Sequence, residues 1–161
     1  MKKLMLFLLL FAAGITVKAQ VIAESIVPAA VMKQYSIDFP NIKAKHWELN
    51  KVIKQYVAAA TNSAGVEVRA RYKEDGTKVS LVLSYTANQV NASVASSSLA
   101  AFPGFKVDWA TEVIDYTKNT DVYDLRMSKT GYVLHAWVKP DGSVYTDVVP
   151  DQLKANDPQP Q

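Results

Sequence analysis

A segment near the start of the chain returns 63 residues later. The matching positions share their apolar spacing, and they are Val27–Val31 with Phe39–Pro40 in the first copy and Val90–Val94 with Phe102–Pro103 in the second. Two turn signals, Glu74–Gly76 and Pro140–Gly142, also correspond. A repeat of this length is typical of one supersecondary unit that is used twice. We therefore predict two tandem units, residues 20–86 and 87–149, followed by a polar C-terminal tail over residues 150–161.

Each unit begins with the pattern of a helix. In the first unit, Val27, Val31 and Tyr35 lie four residues apart, which places them on one helical face, and Phe39–Pro40 ends the helix. The second unit repeats a weaker form of this stripe, because three consecutive serines lower its helix propensity. The sequence therefore predicts one helix at the start of each unit.

Four strand-like runs follow each helix, and they span about residues 43–50, 52–61, 65–73 and 77–85 in the first unit and 104–115, 121–128, 131–138 and 143–149 in the second. Val66, Val68, Ala70 and Tyr72 alternate with polar or charged residues, which indicates a sheet with one dry face. The connections are too short for parallel crossovers, so each unit is predicted to form an antiparallel meander. The predicted fold class is α+β, with the helices packed on one face of the sheet or sheets. Whether the two sheets are continuous stays open.

The N-terminal segment has the pattern of a signal peptide. Met1–Lys3 is a short basic region, Leu4–Val17 has no charged residue, and Val17–Ala19 fits the −3 to −1 positions of a signal-peptidase site. The apolar run is shorter than the roughly 20 residues that span a bilayer, so a cleaved leader is predicted and not a membrane anchor. We expect cleavage after Ala19 and a periplasmic or secreted protein that begins at Gln20.

The formal charge of +3 lies within the predicted leader. Residues 1–19 hold three of the 18 basic residues and none of the 15 acidic residues, so the mature chain has no net charge. Because nucleic-acid binding needs clustered, uncompensated basic residues, this class of partner is not expected. Residues 20–86 carry nine basic and six acidic residues, whereas residues 87–161 carry six and nine. This asymmetry fits docking of the two halves, orientation toward a partner, or chance variation on solvated faces.

The chain offers few residues for catalysis or metal binding. It has no cysteine and two histidines, His46 and His135, which are not at the spacing of metal ligands. Asp121, Asp124 and Asp141 lack the loop pattern of a calcium site. We therefore predict no catalytic residue, no metal ligand and no cofactor.

The residues of the repeat resemble a known family. Val27–Val31 on a first helix, Phe39–Pro40 after it, Trp47 on the next strand and a late Asp-Gly hairpin in each unit are similar to the β-lactamase-inhibitor-like, PepSY-like periplasmic proteins common in Bacteroidetes. The resemblance covers about residues 26–149. It implies two α+β units whose sheets adjoin into a curved surface, with helices on one side and an open face on the other. In the inhibitor after which the family is named, such a face grips an enzyme, but no inhibitory contact motif carries over to this chain residue by residue.

Aromatic and basic residues supply the candidates for a binding surface. Both faces of the run 132–138 are largely apolar, although a helix is expected to cover only one of them. We therefore predict a partner-binding face, whose candidate residues are Tyr56, Arg69, Arg71, His135, Trp137 and Tyr145. The alternative is that Trp137 fills the seam between two sheets or caps their core. Four other aromatic residues lie in phase with apolar neighbours and are predicted to be core, namely Tyr35, Trp47, Phe105 and Trp109.

Three functional classes remain at this point. The first is an exported binding module, inhibitor-like and not an enzyme, whose open sheet face engages another envelope protein. The second is a binder of a small ligand or an envelope polymer, with the aromatic hairpin as its platform. The third, an unrecognised hydrolase, has the least support because no pairing of a nucleophile with a base is visible. The sequence determines neither the partner nor the oligomeric state.

Overall fold

A computed structural model describes residues 19–145. The predicted leader up to Lys18, the last predicted strand beyond Tyr145 and the polar tail therefore lie outside the described residues. The helices are α1 (Ala29–Asp38) and α2 (Ala92–Ala101), each preceded by a short 3-10 turn, and the strands are β1 (Gln20–Ile22), β2 (His46–Asn50), β3 (Gln55–Thr61), β4 (Glu67–Lys73), β5 (Lys78–Thr86), β6 (Lys106–Asp115), β7 (Thr120–Lys129) and β8 (Tyr132–Val138).

The eight strands form a single antiparallel sheet in chain order, β1 to β8. The α+β class and the antiparallel pairing are thus as the sequence predicted. The strand pair β5–β6 runs from the partners Ser80 and Asp115 to Thr86 and Trp109, and it joins the two halves of the chain into one continuous sheet. Strand β1 was not predicted, and it extends the sheet by pairing with β2.

Strand register defines the two faces of the sheet. Trp47, Ala58, Ala70 and Leu81 are successive cross-strand partners, so their side chains share one face. These four residues belong to, or pack against, a buried cluster that also holds Val27, Val31 and Tyr35 from α1 and its N-terminal flank. We call this side of the sheet the helix face and the opposite side the open face.

A second buried cluster lies on the helix face of strands β6 to β8. Val94 of α2 is fully buried there together with Leu125 and Ala136. Tyr85 pairs with Ala110, and Ala110 with Leu125, so register continues the same face from β5 into this cluster. The two clusters therefore share a face of one sheet.

Strand β6 differs from its sequence prediction. The pattern places Trp109 in the core, but the ladder between β6 and β7 shifts register between Val107 and Trp109. Because a shift of one residue moves side chains to the other face, Ala110 and Glu112 are buried on the helix face, whereas Trp109 is half-buried on the open face. The prediction was wrong for Trp109.

The other core predictions are mostly met. Tyr35 and Trp47 are buried in the first cluster, and their rings lie edge to face with centroids 5.3 Å apart. Phe105 is only partly buried and packs at the margin of the second cluster. For the predicted strand over 143–149, the described residues contain one bridge, between Val138 and Val144.

Candidate functional site

A depression of about 390 Å³ lies on the open face of strands β6 to β8. Its walls and floor come from these three strands and the β6–β7 turn, and the lining residues are Thr111, Val113, Asp115, Lys118, Thr120, Val122, Asp124 and Trp137. We call it the Trp137 groove. In this groove the exposed apolar side chains Val113 and Trp137 stand beside ionisable groups, on the sheet face opposite α1 and α2.

Strand β8 places Trp137 in the groove through its alternation. Leu134, Ala136 and Val138 are buried on the helix face, so the intervening residues point to the open face. Trp137 is 51% exposed there. The sequence alternative, in which Trp137 fills a seam between two sheets, does not fit one continuous sheet with this exposure.

Tyr145 lies beside Trp137. The Tyr145 backbone N–H donates to the Trp137 carbonyl over 2.8 Å, which continues the antiparallel pairing begun at Val138 and Val144. Tyr145 is 41% exposed, and Lys139 Nζ lies 5.5 Å from the centre of its ring. An ammonium group therefore already rests near one aromatic ring of this surface.

The floor of the groove is aliphatic. Val113 of β6 and Val122 of β7 are direct cross-strand partners, which brings their side chains together on the open face. Val113 is 39% exposed. An apolar floor that water reaches favours a partner able to cover it.

Asp124 stands between the floor and Trp137. It is the cross-strand partner of Trp137, and its Oδ1 lies 2.8 Å from His135 Nδ1. The His135 ring in turn meets Trp109 edge to face, with ring centroids 5.7 Å apart. Among residues 19–145, the one hydrogen bond of Asp124 is this contact with His135 through Oδ1, and Asp124 lines the groove.

Asp115 and Lys118 close the other end of the groove. Hydrogen bonds from the Thr117 side chain and from the backbone N–H groups of Thr117 and Lys118 lower the pKa of Asp115. Lys118 Nζ lies 3.8 Å from Asp115 Oδ2 and its side chain is 76% exposed. Because this pair is solvent-screened, it contributes little stability, and the ammonium group can leave the carboxylate at low cost.

A salt-bridge network fills the open face next to the groove. Arg126 Nη1 donates to Asp108 Oδ2 over 2.8 Å, and Ser128 Oγ donates to Asp108 Oδ1 over 2.9 Å. Arg126 is buried, so its charge is compensated within the sheet surface. The network borders the groove on the side of Trp109 and His135.

The open face of the first half carries a different polar cluster. Arg69 Nη2 donates to Glu48 Oε2 over 2.7 Å, and His46 Nε2 lies 3.1 Å from Glu48 Oε1. Burial alone would raise the pKa of Glu48, but hydrogen bonds from His46 and Arg69 and the Arg69 charge outweigh it and lower that pKa. Val57 and Ala59 are buried among these polar side chains.

The structure separates the six predicted binding residues. Arg69, Arg71, His135, Trp137 and Tyr145 all lie on the open face. Strands β4 and β8, however, are four strand spacings apart, about 19 Å. The basic pair Arg69 and Arg71 therefore does not line the Trp137 groove.

Tyr56 is a correction. It is the cross-strand partner of Leu49 and Tyr72, so it lies on the helix face, where it packs against the first buried cluster. The prediction that Tyr56 contributes to the same surface as Arg69 and Arg71 was wrong. Register decides this, because Tyr56 and its neighbour Val57 point to opposite faces.

Sequence reasoning did not find most of the groove. Val113, Val122, Asp124, Asp115 and Lys118 were not among the candidates. The signal that could have found them is the apolar residue in each of two adjoining strands, Val113 and Val122, on the side that Trp137 shares. Recognising it requires the register between β6 and β7, which the bulge near Trp109 conceals.

Two polar clusters lie on the helix face. Asp38 accepts hydrogen bonds from Gln34 Nε2, Tyr72 Oη and Lys78 Nζ at 2.9 to 3.1 Å, beside a cavity of about 130 Å³. This carboxylate ties the end of α1 to strands β4 and β5. The second cluster joins Glu112 to Tyr85, whose hydroxyl donates to Glu112 Oε2 over 2.6 Å.

Other site types are not seen in the described part of the chain. Residues 19–145 contain no group of three or more His, Asp or Glu residues placed to hold a metal ion. No helix among them has the length and apolar character to cross a membrane.

Known proteins similar to this chain are found among solved structures. No protein-family model and no curated protein matches the sequence. Solved structures do match it, each over 73% of this chain. A BLIP-like protein of Bacteroides fragilis has a TM-score of 0.60 at 15% identity over 83% of its own chain, and a DUF2874 family protein of Bacteroides ovatus has 0.58 at 14% over 83%. A Bacteroides eggerthii protein predicted to be periplasmic has 0.57 at 20% over 85%.

These similarities confirm, at the level of fold, the resemblance that the sequence indicated. The α+β fold of this chain, with its eight-stranded antiparallel sheet, is similar to that of the BLIP-like Bacteroides fragilis protein.

Proposed function

We propose that this chain is an exported, periplasmic binding module that engages another envelope protein through the open face of its sheet. The observation that carries the proposal is the Trp137 groove, an exposed aromatic and aliphatic surface on a face without a helix. Trp is a residue type that dominates binding energy at protein interfaces.

The energetics support a binding role for this surface. Half of the Trp137 side chain and much of Val113 are in contact with water. Covering the exposed part of one Trp side chain contributes about 2–3 kcal/mol at the usual value per unit of apolar area. This energy stabilises a complex in which a partner covers the groove, relative to the free protein, in which the groove is in contact with water.

The sequence and the fold both support the proposed location and mode of action. The leader pattern of residues 1–19 supports export, and the fold is shared with a Bacteroides protein predicted to be periplasmic. A neighbour described as BLIP-like supports an inhibitor-like action, by binding and not by catalysis. The partner is then an enzyme or another protein of the same compartment.

We also propose that residues 20–86 and 87–149 are two copies of one unit. A Cβ on Gly76 would lie 2.7 Å from Ala30 O in α1, and a Cβ on Gly142 would lie 3.6 Å from Ser93 O in α2. Ala30 and Ser93 are 63 residues apart, the same offset as the helices. In each half, therefore, the Asp-Gly hairpin approaches the matching turn of its helix.

A second candidate function is binding of a small ligand or an envelope polymer. The volume of the groove, about 390 Å³, favours it, because small-molecule sites fall in the same range. The groove is open along one side of the sheet, however, and a protein surface covers such a shape more completely than a small molecule does.

Affinity capture with a matched control tests the proposal. The mature protein, Trp137→Ala and Tyr132→Ala are immobilised and exposed to periplasmic extract, and captured proteins are then purified and their binding measured by calorimetry. Tyr132 is 48% exposed on the same strand but on the helix face, so it controls for loss of a large exposed ring. We expect one protein that binds wild type and Tyr132→Ala and binds Trp137→Ala at least about tenfold more weakly.

Unchanged binding by Trp137→Ala would contradict the proposal. A captured protein that binds Trp137→Ala as tightly as wild type would move the interface away from the groove. Recovery of no protein, with a change in tryptophan fluorescence on addition of an envelope glycan that Trp137→Ala does not show, would support the second candidate.

A further inference from the structure

We infer that the Trp137 groove receives a lysine or arginine side chain of the partner. This inference rests on the proposed binding function and names the chemistry of the residue that the partner inserts. Three features of the groove, its floor, its carboxylate and its indole ring, match the parts of a long basic side chain.

The floor matches the aliphatic stem. Val113 and Val122 form a paired apolar surface, and Asp124 follows Val122 by two residues on the same face of β7. Two residues along a strand span about 6.8 Å, a distance comparable to the reach of an extended lysine or arginine side chain. Such side chains bury their methylene groups on apolar surface while the charge stays at the tip.

The carboxylate matches the cationic head. Asp124 Oδ1 is held by His135 Nδ1 at 2.8 Å, which fixes the carboxylate, while Oδ2 carries no hydrogen bond from the described residues. An ammonium or guanidinium group at the end of the floor would donate to Oδ2. Charge-assisted hydrogen bonds of this kind are about twice as strong as neutral ones.

The indole ring adds a second attraction for a cation. Trp137 is the cross-strand partner of Asp124, so a head group bound to Oδ2 lies next to the exposed ring. The ring of Trp attracts cations more strongly than that of Tyr or Phe. Lys139 near the Tyr145 ring shows the same contact within this surface.

Other occupants fit less well. An acidic side chain on the floor would face Asp124 at one end and Asp115 at the other. The opposing Lys118 is mostly solvent-exposed and already lies near Asp115. A wholly apolar side chain would cover Val113 and Val122 but would leave Oδ2 of Asp124 partly desolvated without a donor, which is costly.

A peptide library provides the probe. Random heptapeptides displayed on phage are selected on the wild-type mature protein after counter-selection on Trp137→Ala. Peptides are then synthesised with the enriched basic residue and with norleucine in its place, and their affinities for wild type, Asp124→Asn and Tyr132→Ala are measured.

The inference predicts that lysine or arginine is enriched at one position beside apolar residues. We expect Asp124→Asn to weaken the basic peptide at least about tenfold and the norleucine peptide by less than about twofold, with Tyr132→Ala unchanged for both. Asparagine keeps the shape of the carboxyl group, and circular dichroism confirms that the variant is folded.

Three outcomes would overturn the inference. Peptides that depend on Trp137 but carry no basic residue, or that bind Asp124→Asn as well as wild type, would contradict the recognition of a basic side chain. Either result would still be consistent with the proposed binding face. Absence of any peptide dependent on Trp137 would also overturn the inference, and the capture experiment would then judge the proposed function separately.

Discussion

Asp121 is a carboxyl group in an unfavourable place. It lies on the helix face as the cross-strand partner of Ile114, and its Oδ1 is buried without a hydrogen-bond partner among the described residues. Burial, followed by the charge of the nearby Glu112, raises the pKa of Asp121 above its ordinary value. Ionisation of Asp121 therefore opposes folding.

We expect Asp121→Asn to stabilise the protein at pH 7, because the neutral amide avoids the cost of ionising a buried carboxyl group beside Glu112, the cost that raises the pKa of Asp121. The gain in free energy of unfolding is of the order of 1 kcal/mol, the common scale for single substitutions. Urea unfolding followed by circular dichroism measures it. Asp75→Asn is the control, since hydrogen bonds from Thr77 lower the pKa of that exposed carboxylate, and no gain is expected.

The raised pKa of Asp121 sets a pH dependence of stability. A pKa raised in the folded state means that native Asp121 holds its proton more tightly than the unfolded chain does. Its contribution to stability is full below pH 3.8, the ordinary value, and is lost as the pH rises through the folded-state pKa. Asp121→Asn should therefore lose less stability than wild type above that pH. Parallel curves for the two proteins would show that Asp121 is not the responsible group.

At the scale of elements, the β4–β5 hairpin is fitted against α1. Gly76 has φ +85°, and a Cβ there would lie 2.7 Å from the backbone oxygen of Ala30. Gly131 in the β7–β8 hairpin has a similar φ of +79°, but a Cβ there would meet no atom within 4 Å. The two glycines thus differ in their contact with a helix and not in backbone conformation.

We expect Gly76→Ala to lower the free energy of unfolding by about 2–4 kcal/mol and Gly131→Ala by about 1–2 kcal/mol. The smaller value is the cost of a left-handed backbone, and the difference is the cost of moving the hairpin away from α1. Thermal and urea unfolding of the two variants measure both. Equal losses would mean that the hairpin does not press on the helix.

Most of the helices and strands could be predicted from the sequence, because the residue patterns that indicate them are local. Pro28 and Phe39–Pro40 bracket α1 as observed, and the Asp-Gly hairpins mark the turns before β5 and after β8. Strand β1 was missed, since three residues give too short a pattern to read. Its pairing with β2 depends on a contact between segments far apart in the chain.

The candidate site was less predictable, because it depends on register. The alternation of β8 alone put Trp137 and His135 on one face of the strand, but it did not decide which face of the hairpin is exposed. Trp109 was placed wrongly by a bulge that a period of two does not reveal, and Tyr56 by the absence of any register between β3 and β4. Val113 and Val122 become one floor only when two strands are aligned.

At the scale of the whole molecule, two buried clusters share one sheet. The first holds Trp47 and the second holds Leu125, and the β5–β6 ladder between them is unbroken over seven residue pairs. If one half unfolded alone, β5 or β6 would become an edge strand, with unpaired backbone groups and with apolar side chains in contact with water. Each half therefore depends on the other, and the chain should unfold as one cooperative unit.

Leu125→Ala tests this coupling at a distance. Leu125 is fully buried in the second cluster, and its truncation should cost about 2–5 kcal/mol. In a background of Trp109→Phe and Trp137→Phe, Trp47 becomes the sole fluorescent reporter, and it lies in the first cluster. We expect Leu125→Ala to shift the urea midpoint seen by Trp47 as far as the midpoint seen by circular dichroism. If the Trp47 transition stays in place while circular dichroism shows an earlier step, the halves fold separately, and the ladder joins two independent units instead of completing one.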